Sequence, residues 1–157
     1  MNVNEPLKPG ETRVSLNWAS DKWVVSRRVG RTTIYNCRPL SCEYPVVVMR
    51  SMATISRDAN PKALARFAEN EAALDGKVTI VSGPISRKVD GFPATFYSLR
   101  VTGSGAAKHV ERVVIAAGNS GISLGAASIN AGEAKRALQE FLSKLTIEDG
   151  GPRAASN

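Results

Sequence analysis

Along residues 92–129, apolar and polar positions alternate in three runs separated by glycine-rich turns; from residue 131 the period changes from two to that of a helix. The alternation predicts a β-meander. Its first run sets Phe92, Ala94 and Phe96 against Thr95, Tyr97 and Leu99. The second follows Gly103-Ser104-Gly105 and covers 109–117, and the third follows Gly118-Asn119-Ser120-Gly121 and covers 122–129. Glycine and asparagine take positive φ at little cost, which suits tight connections between antiparallel strands. A helix is predicted over 131–145, with Ala134, Leu138, Phe141, Leu142 and Leu145 on one face. Lys135, Arg136, Gln139, Glu140 and Lys144 occupy the other face, and Asn130 with Glu133 gives a capping-box start. Burying each large residue of the stripe contributes roughly 1.5–3 kcal/mol, more than helix propensity supplies, so this face must dock, and the meander is the available platform.

Upstream, a second helix is predicted over 61–74, with Asn60 as cap, Pro61 in the first turn, Gly76 as terminator and a shorter stripe of Leu64, Phe67 and Ala68. Residues 44–55 are almost continuously apolar or β-branched, the pattern of a strand buried on both faces. Two short strands, 78–81 and 85–89, lead through Asp90-Gly91 into Phe92. Nearer the start, Val14, Leu16 and Trp18 alternate, and 22–28 and 32–37 are further strand candidates. Strands, helix, strands, helix is the order of an α+β domain: an antiparallel sheet covered by helices.

At 157 residues and 43% hydrophobic content, one such domain can bury a substantial core without metals or several disulfides. The expected division is a flexible start over 1–10, a single α+β domain over 11–148 and a flexible tail over 149–157. No apolar run is long enough to span a bilayer, and Asn2-Val3-Asn4-Glu5 is not the start of a signal peptide. The compartment is therefore the cytoplasm, or a leader has been removed and the protein is periplasmic or secreted. Cys37 and Cys42 bear on this, because they bracket Arg38-Pro39-Leu40-Ser41, a segment that turns readily. A disulfide is favoured over buried thiols, and redox catalysis is disfavoured because its usual spacing is Cys-x-x-Cys. With two cysteines and one histidine in all, zinc and iron–sulfur sites lack ligands, so neither a metal nor a cofactor is expected.

Charge sharpens the picture. The formal net charge is +7, and residues 22–42 hold Lys22, Arg27, Arg28, Arg31 and Arg38 with no acidic residue. Trp23 and Tyr35 interleave with these cations, so the stretch is either a solvated arginine-rich hairpin or a contact for an anionic partner: an acidic protein face, a membrane surface or, least favoured because no motif accompanies the charge, a nucleic acid.

Catalytic constellations are sparse. His109 is the sole histidine and sits in an alternating run, which favours a sheet position over a general base. His-Glu-x-x-His is absent, Gly103-Ser104-Gly105-Ala106-Ala107-Lys108 lacks the strand-to-helix context of a phosphate loop, and Asp90 and Glu111 have turn and strand duties available.

The segment Val89-Asp90-Gly91-Phe92-Pro93-Ala94-Thr95-Phe96-Tyr97, the two runs after it and the ending Phe141-Leu142-Ser143-Lys144-Leu145-Thr146-Ile147 together resemble the Mog1/PsbP-like superfamily over residues 44–147. The resemblance implies an α/β/α sandwich around an antiparallel sheet. It also implies docking onto other macromolecules, since relatives include accessory subunits of photosynthetic complexes, a binder of a small GTPase, envelope lipoproteins and secretion chaperones. The chain departs from these relatives at its beginning, where the arginine-rich stretch and the cysteine pair replace an extended segment with Pro and Trp. The reading that results is a non-enzymatic accessory protein of the bacterial envelope with a protein partner, using the basic segment as its contact. The alternatives are a cytoplasmic chaperone or adaptor of the same fold, and a carrier of a small hydrophobic ligand with a pocket lined by Phe92, Phe96, Tyr97 and Phe141.

Overall fold

A computed structural model of the chain describes residues 11–16, 21–54, 77–103, 108–118 and 120–149. The helix expected over 61–74, Trp18, Ile55 and the glycine-rich loop at 104–107 lie outside these residues. Nine strands and one helix are described: β1 (Thr12–Leu16), β2 (Trp23–Val29), β3 (Thr32–Cys37), β4 (Val46–Thr54), β5 (Lys77–Val89), β6 (Phe92–Thr102), β7 (Lys108–Ala117), β8 (Ser120–Ser128), α1 (Ala131–Lys144) and β9 (Leu145–Asp149). Seven strands form one sheet in the order β2-β3-β4-β8-β7-β6-β5, and β1 pairs with β9 in a small second sheet. Every described pairing is antiparallel. The expected α+β architecture, with an antiparallel sheet under an amphipathic helix, is what the described residues form. No helix among them is long and apolar enough to cross a membrane.

The helix begins as its cap predicts, with one change. The Asn130 side chain accepts from the Glu133 backbone N–H at 2.9 Å, satisfying one of the first-turn donors. The Glu133 carboxylate does not close the capping box; it accepts from Arg136 at 2.7 Å, and the Asn130 N–H donates to the Ser128 hydroxyl instead. Ala134, Ala137, Leu138 and Phe141 are buried, and the helix lies across β4, β7 and β8. Val46 and Val48 of β4, Val113 and Ile115 of β7, and Ile122 and Leu124 of β8 join this core. Phe141 is its centre. Its ring meets Trp23 of β2 at 5.0 Å between centroids and Tyr35 of β3 at 5.1 Å, both edge-on, an arrangement that adds to plain area burial. The opposite face of the sheet is buried as well, at Thr95, Tyr97, Leu99, Arg112, Val114 and Ser123. Gly125 makes room there: a Cβ would stand 3.1 Å from the Arg112 Nε.

Several expectations are corrected. β4 is not buried on both faces, because Val47 is 42% exposed between buried Val46 and Val48; it lies toward one end of the sheet, where its second face meets less cover. The two strands expected at 78–81 and 85–89 are one strand of 13 residues that passes through irregular pairing around Ser82 and Ile85. Gly83 permits this passage, with φ at +96° and no space for a Cβ, which would lie 2.6 Å from the Phe96 carbonyl oxygen. Asp149, placed by sequence in a loose tail, pairs with Thr12. Leu145 opens β9 instead of ending the helix.

The hairpin β5–β6 turns at Asp90-Gly91, both with positive φ (52° and 84°), the pattern of a type I′ turn. Asp90 has a second task, since its carboxylate accepts from the Ile147 N–H of β9 at 2.8 Å and ties the turn to the end of the chain. Two outcomes are expected in denaturant titrations. Phe141→Ala lowers stability by about 3–5 kcal/mol, because it removes the ring from a packed aromatic site. Asp90→Ala costs about 1–2 kcal/mol by losing that acceptor and placing Cβ chemistry less suited to positive φ in the turn, whereas Asp90→Asn keeps most of it.

Candidate macromolecular contact surface

Strand β2 is one edge of the seven-stranded sheet, so only β3 pairs with it. The two join through Gly30-Arg31, where Gly30 has φ of 58° and Arg31 does not take positive φ, as in a type II′ connection. Alternation starts regularly: Trp23 pairs with Cys37 and Val25 with Tyr35 on the helix side. A bulge then interrupts the register between Val25 and Arg27, so that Arg27 pairs with Ile34 and Arg28 with Thr33. Because paired residues share a face, Arg28 stands on the helix side and Arg27 on the other, with Arg31 at the hairpin tip. All three are exposed, and none forms an ion pair with a described residue. Val24, Val25 and Val29 are exposed beside them, Val29 at 55%.

The structure divides the expected contact residues. Arg27, Arg28, Arg31 and Arg38 are on the surface. Lys22 is turned toward the helix, where its Nζ lies 3.1 Å from the Glu140 carboxylate and 5.6 Å from the Trp23 ring. Trp23 and Tyr35 are core residues and leave the contact set, since period-two alternation points them at Phe141 while the arginines point outward. Cys37 and Cys42 are joined, with sulfurs 2.12 Å apart, and both pack partly against the core.

The expected aromatic pocket does not assemble. Phe141 is fully buried between Trp23 and Tyr35, Phe92 and Phe96 border the helix-side core, and Tyr97 packs on the opposite face with Leu99 and Val114. A different groove of about 610 Å³ lies between α1 and the β5–β6 side of the sheet, bordered by Ile85, Arg87, Phe96, Glu111, Leu138 and Leu142. Both Glu111 oxygens are 2.8 Å from the Ser98 hydroxyl. His109 pairs in register with Arg100 and Ser128, and among the described residues it makes no hydrogen bond to a carboxylate.

No family model and no curated protein sequence matches this chain. Solved structures do. The chain is similar to LpqN, described as involved in cell envelope biogenesis of Mycobacterium tuberculosis, with 18% identity and a TM-score of 0.61 over 89% of this chain and 86% of that one. It is similar to the Ran-binding protein Mog1p of Saccharomyces cerevisiae, with 10% identity and a TM-score of 0.64 over 88% and 96%. It is also similar to protein PA94 of Pseudomonas aeruginosa, with 14% identity and a TM-score of 0.60 over 77% and 85%. At such identities the likeness is one of fold, and it agrees with the strand order, the antiparallel register and the packed closing helix: this chain has the Mog1/PsbP-like α+β fold.

Proposed function

We propose that this protein is a non-enzymatic accessory protein of the bacterial envelope that docks onto an anionic face of another macromolecule through the β2–β3 edge. The observation that carries the reading is the placement of Arg27, Arg28 and Arg31 on both faces and the tip of one edge hairpin, exposed and beside exposed valines. Cations so placed raise association rates and select partners of opposite charge. They also repel the same edge of a second copy, so strand-to-strand pairing of two such hairpins is disfavoured. Two of the solved relatives are described by binding or by a role in envelope biogenesis, which supports docking as the kind of work this fold does. The joined Cys37 and Cys42 support an oxidising compartment such as the periplasm. The small-ligand reading loses its aromatic quartet to two different faces of the sheet.

In pull-downs from envelope extracts, Arg27→Glu, Arg28→Glu and Arg31→Glu together are expected to reduce capture of the partner by about tenfold or more, with the thermal midpoint unchanged. Capture indifferent to the reversal would count against the basic edge. Alkylation of protein taken from cells without reductant should leave both cysteines unlabelled; two labelled thiols would move the protein to a reducing compartment.

A further inference from the structure

The loop between β3 and β4 holds an apolar side chain entirely clear of the protein. Leu40 is 103% exposed and its φ is +70°, a left-handed conformation that is sterically disfavoured for an ordinary L residue. Glycine or asparagine is the usual occupant of such a position. The turn is of type II pattern, with Pro39 before Leu40 and the Ser41 N–H donating to the Arg38 carbonyl at 3.0 Å. Three devices hold it: the proline ring, that hydrogen bond, and the Cys37–Cys42 bond that closes the loop at its base. The Arg38 N–H also donates to the Lys22 carbonyl at 2.8 Å, which fastens the loop to the start of β2. A leucine is thus kept in a disfavoured conformation on a rigid projection, where it contributes nothing to the core. Strain that the surroundings hold in place is a mark of function when the side chain involved has no structural task.

We propose that Leu40 is an apolar anchor that inserts into the interfacial region of an anionic lipid membrane, with Arg38 of the same loop, and Arg27, Arg28 and Arg31 farther along the β2–β3 hairpin, held over the headgroups. The inference rests on the reading of that edge as a contact for an anionic partner and takes that partner to be a lipid surface in place of a macromolecule. Lipid is favoured over a protein pocket by how the apolar groups are distributed. A protein-binding patch concentrates aromatic residues at a dry centre, but here Trp23 and Tyr35 are buried, Tyr44 is exposed only in part beside the loop, and the other exposed apolar groups of this edge are separate aliphatics: Leu40, Val24, Val25 and Val29. They are interspersed with Arg27, Arg28, Arg31 and Arg38, against the two carboxylates Asp21 and Glu43 over residues 21–44; Lys22, the fifth cation of the stretch, is paired with Glu140. Scattered aliphatics among cations suit a surface with no fixed shape and a negative potential. Neither signal suffices alone; one small apolar insertion combined with several cations gives reversible peripheral binding.

The test is co-sedimentation of the full chain with phosphatidylcholine vesicles and with vesicles in which about a third of the lipid is phosphatidylglycerol. The protein is expected to partition onto the anionic vesicles only. Leu40→Gly, which relieves the positive-φ strain and so keeps the thermal midpoint, should lower that partition by about tenfold. Leu40→Trp should retain binding and show emission shifted to the blue with anionic vesicles alone. Equal partition of Leu40→Gly and the parent protein would overturn the anchor. If the triple arginine reversal abolishes vesicle binding while Leu40→Gly does not, the basic edge stands and Leu40 falls. Failure of the parent protein to bind either vesicle would overturn the lipid assignment, leaving the pull-down to decide the edge independently.

Discussion

The edge-on packing of Phe141 against Trp23 and Tyr35 is the contact on which the rest of the arrangement depends. An edge strand has one neighbour in its ladder, so β2 must gain its remaining stability from the face it presents to the helix. Trp23 and, on the neighbouring strand, Tyr35 supply that face, and the ring of Phe141 on the helix meets both. The Lys22–Glu140 ion pair lies beside them, but with both side chains about a third exposed it contributes little, on the order of 0–1 kcal/mol. Burial of three aromatic rings outweighs it several-fold. The position of the hairpin is therefore set by aromatic packing, and its cations are left for other work.

That separation follows from the pleat. Trp23 and Val25 face the helix, and the bulge after Val25 changes the phase so that Arg28, not Arg27, falls on that side beyond the reach of the core. Without the bulge both arginines would exchange faces, yet one would still stand on each. The edge is cationic on either face, which protects it from pairing with its like and gives the proposed contact its charge complementarity to an anionic surface.

The closing helix and the meander were legible because their periods are long and clean. The Asp90-Gly91 turn was legible because few sequences other than Asn-Gly or Asp-Gly tolerate two successive positive φ values. Strand β5 was not, since Ser82-Gly83-Pro84 reads as a break; its pairing with β6 on both sides, with Gly83 close against Phe96 and Tyr97, carries the chain through it. The pocket quartet failed for a reason already present in the sequence. Phe96 and Tyr97 are adjacent in a strand and so point to opposite faces. By composition Trp23 and Tyr35 read as aromatics interleaved with surface cations; which side of a strand a residue takes is decided by register, and register here depends on the helix above. Leu40 gave no periodic signal at all, being a single residue between Pro39 and Ser41.

The loop that carries Leu40 is nevertheless governed by the same core. Cys37 pairs with Trp23 across β2 and β3, and both cysteines pack against the cluster that contains Phe141. Closing so short a loop contributes roughly 2 kcal/mol on a chain-entropy view, too little to determine the fold of a domain whose core holds three packed aromatic rings. Its larger effect is local: it restricts the four residues between the sulfurs, so the projection keeps its shape. Opening the bond would leave the sheet and helix in place while freeing the tip to relax from its left-handed conformation. The disulfide thus acts on the shape of the projection, and the aromatic core acts on its position.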